Sequence, residues 1–169
     1  ITCNDDVSCL SEVLRSLVSI LLVNDAMPFS EQVKTLVSVF GSHLLTLKAM
    51  TRTHSDWVTD NILNVEHWRD SILFSIADAI QGLGDEFSFH NASPSFSTSW
   101  RWYKDVDLTR DQFSKQAYSN YLRTVHNLID YRVTTAERSV LENELLIEKC
   151  SSIKQGVARF SRERSDVNF

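Results

Sequence analysis

The sequence predicts an all-α protein, a bundle of long helices, and two features of its 169 residues indicate this class. Glycine and proline are scarce, with four and two copies, and neither occurs between Ser42 and Gln81 or between Ser95 and Gln155. Helices tolerate such stretches, whereas strands and hairpins need turn residues far more often. Apolar residues also recur at helical spacing in both stretches, which predicts long amphipathic helices.

Composition and charge narrow the class of function. The apolar fraction of 43% and the charged fraction of 23% are typical of a globular chain. The length suits one domain, so we predict a single helical domain over residues 1–169. Because the net charge is −5, we expect no basic surface for nucleic acid and no nucleic-acid partner.

The leading segment, residues 1–27, is predicted to hold a short helix near Ser11–Val23. Its apolar run Leu17–Val23 is too short to span a bilayer, so we interpret it as a buried helix rather than an anchor. Pro28 suits the first turn of a second, long helix that is expected to continue to Gln81.

The long helix is expected to stop at Gly82-Leu83-Gly84, because glycine commonly ends a helix. Residues 88–107 are then predicted as a loop, since Ser88–Ser99 is rich in serine and carries Pro94. Asp107 or Thr109 suits the cap of a third helix, expected from Thr109 to Lys149. Beyond Lys149 we expect one more helical segment, which either starts again after Gly156 or continues through it.

No pattern in the sequence indicates an enzyme. The five histidines lack the H-E-x-x-H or Cys/His spacing of a metal site. Gly82-Leu83-Gly84 lacks the preceding strand and the lysine of a phosphate-binding loop. We therefore expect no catalytic residues, no cofactor and no metal.

Long amphipathic helices predict association, because a helix of forty residues exposes a stripe that a short helix cannot cover. We expect a dimer through the long helices. The aromatic segment Trp100–Lys104 is either a hydrophobic plug beside the loop or part of a partner-binding patch. The candidate interface residues combine the four tryptophans with the apolar stripe of the third helix: Trp57, Trp68, Trp100, Trp102, Tyr121, Val125 and Leu128.

The cysteines leave two possibilities open. Cys3 and Cys9 can pair across a short loop and leave Cys150 alone, or all three can be free thiols. An odd count without a dense framework favours a reducing compartment. Asn91-Ala92-Ser93 is a formal glycosylation sequon, which we interpret as accidental because Pro94 follows it directly.

Four segments resemble the BAR domain of sorting nexins of the retromer-associated five and six type. Phe29–Val37 resembles the opening of that family's first long helix, and Met50–Asp56 is similar to its M-T-R-S-H-K stretch. Tyr121–Tyr131 and Val157–Arg164 resemble a later segment and the start of the last, basic helix. The family's basic tip has no counterpart here, because acidic residues occupy that region: Glu137, Glu142, Glu144 and Glu148.

The resemblance implies a non-enzymatic, BAR-like coiled coil that dimerises with itself or with another BAR-type sorting nexin. Such a dimer acts in the cytoplasm, peripherally on endosomal membranes, in membrane remodelling, protein transport and cargo sorting. Anionic phospholipid is then the expected membrane partner. Five cations of the last stretch are the candidate membrane contacts: Lys149, Lys154, Arg159, Arg162 and Arg164.

Two alternatives remain at this stage. One is a secreted, cytokine-like helical bundle, with Cys3 and Cys9 bridged and Asn91 glycosylated. The other is a cytosolic coiled-coil adaptor that binds protein and not lipid.

Overall fold

The structure is a computed structural model that describes residues 4–65, 73–83, 86–87, 89, 92, 108–130 and 132–167. In these residues all regular secondary structure is helical, which confirms the all-α prediction. The chain divides into two compact units. Unit 1 comprises Ile1–Cys9 and Ile72–Ser152, and unit 2 comprises Leu10–Ser71 and Ile153–Phe169. A single domain over the whole chain stays a prediction, and most of the predicted loop 88–107 lies outside the described residues.

The helices follow one another along the chain as α1 (Leu10–Leu22), α2 (Phe29–Leu44), α3 (His54–Val58), α4 (Ile76–Leu83), α5 (Arg110–Thr124) and α6 (Val140–Val167). A π-helical turn, Thr59–Leu63, continues α3, and a 3₁₀ turn, Val125–Leu128, continues α5. Within the described ranges, no helix is both long enough and apolar enough to cross a membrane.

The prediction of one helix from Pro28 to Gln81 is wrong. α2 begins directly after Pro28, but it ends at Leu44. There the Thr46 hydroxyl donates a 2.7 Å hydrogen bond to the His43 carbonyl and so competes with helical bonding. Neither glycine nor proline is needed for this break.

Two polar caps start the next helices inside the same stretch. The Thr53 side chain accepts a 3.1 Å hydrogen bond from the backbone N–H of Asp56 and begins α3. The Ser75 hydroxyl accepts a 3.0 Å bond from the N–H of Asp78 just before α4. α4 spans Ile76–Leu83, and Gly84 lies outside the described residues, so the stop at Gly82-Leu83-Gly84 stays a prediction.

The prediction of one helix from Thr109 to Lys149 is also wrong. α5 begins as predicted, because the Thr109 side chain and Gln112 form a reciprocal capping box. Residues 132–139 are not helical. The Asn127 side chain binds the backbone of Thr135 in both directions there, accepting from its N–H at 2.8 Å and donating to its carbonyl at 3.4 Å.

α6 begins after a second capping box. The backbone N–H of Ser139 donates to the Glu142 carboxylate at 3.0 Å, and the N–H of Glu142 donates to the Ser139 hydroxyl at 3.3 Å. The helix then runs without a break through Gly156, so the last segment continues rather than restarts.

Each unit has its own apolar interior. In unit 2, Leu36 and Leu44 of α2 are 0% and 1% exposed and pack in one cluster with Val23, Val58 and Ile62. Burying one such side chain stabilises the fold by about 1.5–3 kcal/mol.

Unit 1 is built on α5, which packs on α4. Ala117, Tyr121 and Val125 follow each other at steps of four residues and are all buried, at 1–3% exposure. They form the inner side of α5 and of the 3₁₀ turn. On α6, Asn143 and Cys150 are buried two turns apart.

Candidate binding surface

Helix α1 exposes much of its most apolar side. Leu10, Leu14, Leu17 and Leu21 follow each other at steps of four, three and four residues, which places them along one side of the helix together with Val18. Leu14 and Leu21 are 44% and 56% exposed, and the other three are half-buried. We call these five residues the leucine face.

The side of α1 that is fully buried carries small polar residues. Ser16 is 1% exposed and Ser19 is 6% exposed, and Val13 lies buried beside them. The hydroxyl of Ser16 is buried without a hydrogen-bond partner among the described residues. A helix of a globular protein ordinarily turns its most apolar stripe inward. α1 departs from this rule: Leu17–Leu22 is helical as predicted, Val23 lies just beyond the end of the helix, and the run is not uniformly buried.

The one basic residue of α1 is held against an aromatic ring. The Arg15 guanidinium carbon lies 5.3 Å from the centroid of the Trp57 ring. Burial lowers the pKa of Arg15, and the Glu12 carboxylate opposes this effect. Arg15 lies about 120° around the helix from Leu21, and Glu12 lies about 180° from it. The leucine face itself therefore contains no charged side chain.

Several interface residues predicted from the sequence serve the interior of their own unit. Trp57 packs against the core of unit 2. Tyr121 and Val125 are 3% and 1% exposed in unit 1, and Leu128 is half-buried there. The structure does not gather these side chains into an exposed surface. The three remaining candidates lie outside the described residues: Trp68, Trp100 and Trp102.

The five predicted membrane contacts all lie on α6, but they do not share a side of it. Measured around the helix from Lys149, Arg164 lies at about 60°, Lys154 at about 140°, Arg162 at about 220° and Arg159 at about 280°. Lys154 and Arg164 are half-buried, and the other three are exposed. A flat anionic surface touches one side of a helix, so it cannot meet all five cations at once.

A buried pair in unit 1 joins the start of the chain to α5. The Tyr121 hydroxyl donates a 2.9 Å hydrogen bond to one carboxylate oxygen of Asp5. The other oxygen accepts from the N–H groups of Val7 and Ser8, at 3.0 and 2.8 Å. Burial, and then the Asp5 charge, raise the pKa of Tyr121 well above its ordinary value near 10. Tyr121 is therefore a fixed hydrogen-bond donor that holds the fold.

His126 has both ring nitrogens engaged. Asn143 Nδ2 donates to the Leu122 carbonyl at 2.7 Å and lies 3.2 Å from His126 Nδ1. Because that amide nitrogen can only donate, Nδ1 accepts, which assigns the proton to Nε2. Nε2 donates to Thr135 Oγ1 at 2.9 Å and to the Ala136 carbonyl at 3.1 Å. This imidazole anchors residues 135–136 and leaves no nitrogen for a metal or a substrate.

The cysteine thiol of α6 is not activated. Cys150 is 2% exposed, and burial raises the pKa of its thiol, with a further contribution from Asp6 and Asp5. A thiol kept protonated is a poor nucleophile. Cys9 is buried and Cys3 lies outside the described residues, so both possibilities for the cysteines stay open. Asn91, whose sequon we interpret as accidental, also lies outside the described residues.

The described part of the chain holds no group of three or more His, Cys, Asp or Glu side chains that could bind a metal ion. Exposed apolar side chains occur on other described elements as well, such as Leu141 and Leu145 of α6 at 66% and 47%. The leucine face is a row of four leucines and Val18 along one side of a single helix. Its signal is present in the sequence as the spacing of four leucines, but that spacing does not say which side of α1 is buried.

Comparisons with known proteins identify no relative: no protein-family model, no curated protein and no solved structure matches the chain.

Proposed function

We propose that this chain is a non-enzymatic helical scaffold that binds a partner protein through the leucine face of α1. One observation carries the proposal: Leu14 and Leu21 are about half exposed, whereas Ser16 and Ser19 on the same helix are buried. Leaving a leucine half exposed forgoes about 1 kcal/mol of burial. A partner that covers the face recovers this free energy, and this would account for the exposed leucines of α1.

The polar groups of unit 1 support the non-enzymatic part of the proposal. Asp5 and Tyr121 are bonded to each other, and His126 is bonded on both nitrogens. A general base needs a free lone pair directed at a substrate. These side chains are instead hydrogen-bonded to other groups inside unit 1, as is typical of buried polar groups with a structural role.

The sorting-nexin resemblance adds a finer version, in which the scaffold dimerises on endosomal membranes and the α6 cations contact lipid. The placement of those cations around α6 does not favour one lipid-facing side. We therefore propose a scaffold whose partner is a protein. The experiments below distinguish a protein partner from an anionic lipid surface.

A photo-cross-linking residue placed at Leu21 tests the proposal. Leu21 is 56% exposed, so p-benzoylphenylalanine fits there without disturbing the interior. Leu45, in the same unit and 77% exposed, provides the matched control. In an extract of the cells that produce the protein, we expect a protein adduct of discrete mass from position 21 and none from position 45. Equal labelling from both positions, or none from position 21, would contradict the proposal.

A further inference from the structure

We infer that the partner of the leucine face is a second copy of this chain, paired α1 against α1. The inference rests on the proposed function and names its partner. The sequence predicts a dimer interface on the long helices, whereas this inference places the interface on α1.

The spacing of the leucines is the first support. Steps of four, three and four residues from Leu10 to Leu21 are those of alternating a and d positions in a coiled coil. Such a row is self-complementary, because each leucine of one helix fits between leucines of an identical helix related by a two-fold axis. Val18 adds a branched apolar side chain beside the row.

Charge is the second support. The chain carries a net charge of −5, so two copies repel one another over most of their surface. The leucine face contains no charged residue, and the flanking position Ser11 is neutral and exposed. Two copies can therefore meet at this face without placing like charges together. The one cation of α1, Arg15, lies three residues from Val18 at the edge of the face, and its guanidinium lies over the Trp57 ring.

The length of α1 sets the strength of the pairing. Thirteen residues span about 20 Å, which is roughly two heptads. A standard protein interface buries about 800 Å² on each partner, and one face of so short a helix supplies well under that area. The pairing is therefore reversible and concentration-dependent, not obligate.

The cross-linking experiment with purified protein tests the inference separately from the proposed function. With p-benzoylphenylalanine at Leu21 of the otherwise unaltered chain, we expect an adduct of twice the chain mass. Adding Leu14→Glu to the same chain should lower the yield at least five-fold, while the control position Leu45 gives no adduct. A far-ultraviolet circular dichroism melt of each variant checks that the fold is kept.

The other outcomes are each decisive. If position 21 forms an adduct in cell extract but not in purified protein, the second copy is wrong and the proposed function stands. If it forms none in either sample, both are wrong. If it couples to lipid in vesicles of anionic phospholipid and not to protein, the surface is a membrane contact and both are again overturned.

A charge-pair experiment tests the contact of α1 with α1 directly. Leu14→Glu and Leu14→Lys chains should each remain monomeric, because like charges then face each other in a parallel pair. An equimolar mixture should associate at least five-fold more strongly than either chain alone. If the pair is antiparallel, Leu14 faces Leu17, and the mixture of Leu14→Glu with Leu17→Lys associates instead. Failure of both mixtures to associate would overturn the inference.

Discussion

In unit 1, Tyr121 donates a 2.9 Å hydrogen bond to Asp5, a residue 116 positions earlier in the chain, and both residues are more than nine-tenths buried. The contact fastens the start of the chain to the inner side of α5. The two backbone N–H groups of Val7 and Ser8 bind the other carboxylate oxygen of Asp5. Removing the phenol therefore leaves the first oxygen buried without this donor.

The first prediction concerns this bond. Tyr121→Phe should lower the free energy of unfolding by about 1–3 kcal/mol, since it removes the donor and leaves the buried Asp5 oxygen without it. Urea denaturation followed by circular dichroism measures the change. Tyr118→Phe, a half-buried position on the same helix, is the control and should cost well under 1 kcal/mol. Equal losses from the two variants would show that the bond contributes nothing specific.

The second prediction follows from the raised pKa of Tyr121. In the unfolded chain its phenol ionises near the ordinary pKa of about 10, whereas the folded protein keeps the proton to higher pH. The stability that Tyr121 contributes is therefore complete below about pH 10 and is lost as the pH rises above it. The slope is up to about 1.4 kcal/mol per pH unit.

Unfolding free energies measured from pH 9 to pH 11 test this dependence. The difference between the natural chain and Tyr121→Phe isolates Tyr121 from the other alkaline groups. We expect that difference to shrink as the pH rises through this range. A constant difference would mean that the phenol titrates normally in the folded state.

The third prediction concerns the interior of unit 1. Val125→Asp should lower the free energy of unfolding by about 3 kcal/mol or more, because Val125 is 1% exposed and an unpaired carboxylate there loses its hydration. Val133→Asp, at a position 54% exposed, should change it by no more than about 0.5 kcal/mol. Thermal melts of the two variants provide the comparison. An unchanged melting temperature for Val125→Asp would mean that this side chain faces solvent.

The fourth prediction tests a helix cap. Thr109→Ala should cost about 1 kcal/mol, because the Thr109 side chain satisfies an N–H at the first turn of α5 and takes part in the capping box with Gln112. Thr109→Ser keeps the hydroxyl and should restore most of the loss. Urea denaturation resolves the three proteins. A serine variant as unstable as the alanine variant would place the effect in the methyl group instead.

Part of the fold follows from the sequence. The scarcity of glycine and proline and the helical spacing correctly predict the all-α class. The helix predicted near Ser11–Val23 matches α1 to within one residue at each end. Of the two cap candidates, Asp107 and Thr109, the structure shows Thr109 at the N-cap of α5. The prediction of two long helices is wrong because the absence of glycine and proline does not oblige a helix to continue.

The missed boundaries carry a local signal that outweighs the apolar periodicity. Thr53 with Asp56, Ser75 with Asp78 and Ser139 with Glu142 each place a hydroxyl residue three positions before an acidic one. In the structure each of these hydroxyls accepts a hydrogen bond from the backbone N–H of its partner at the start of a helix. This spacing precedes the starts of α3, α4 and α6, and it also occurs at Thr134 and Glu137, where no helix begins.

The candidate surface could be located only in part. The spacing of Leu10, Leu14, Leu17 and Leu21 is visible in the sequence, but periodicity identifies an apolar side without showing whether the chain itself covers it. That depends on how the small side chains Ser16 and Ser19 pack inside unit 2, which is a tertiary property.

Sedimentation velocity across a hundred-fold dilution series tests whether two copies of the chain pair through α1. The natural chain and the control Leu45→Gln should shift from one chain mass towards two as concentration rises. The double variant Leu14→Gln, Leu21→Gln should stay at one chain mass throughout and keep its melting temperature, because glutamine preserves helix propensity and both positions are about half exposed. A natural chain that remains monomeric at every concentration, or a double variant that dimerises as the natural chain does, would show that α1 does not mediate pairing.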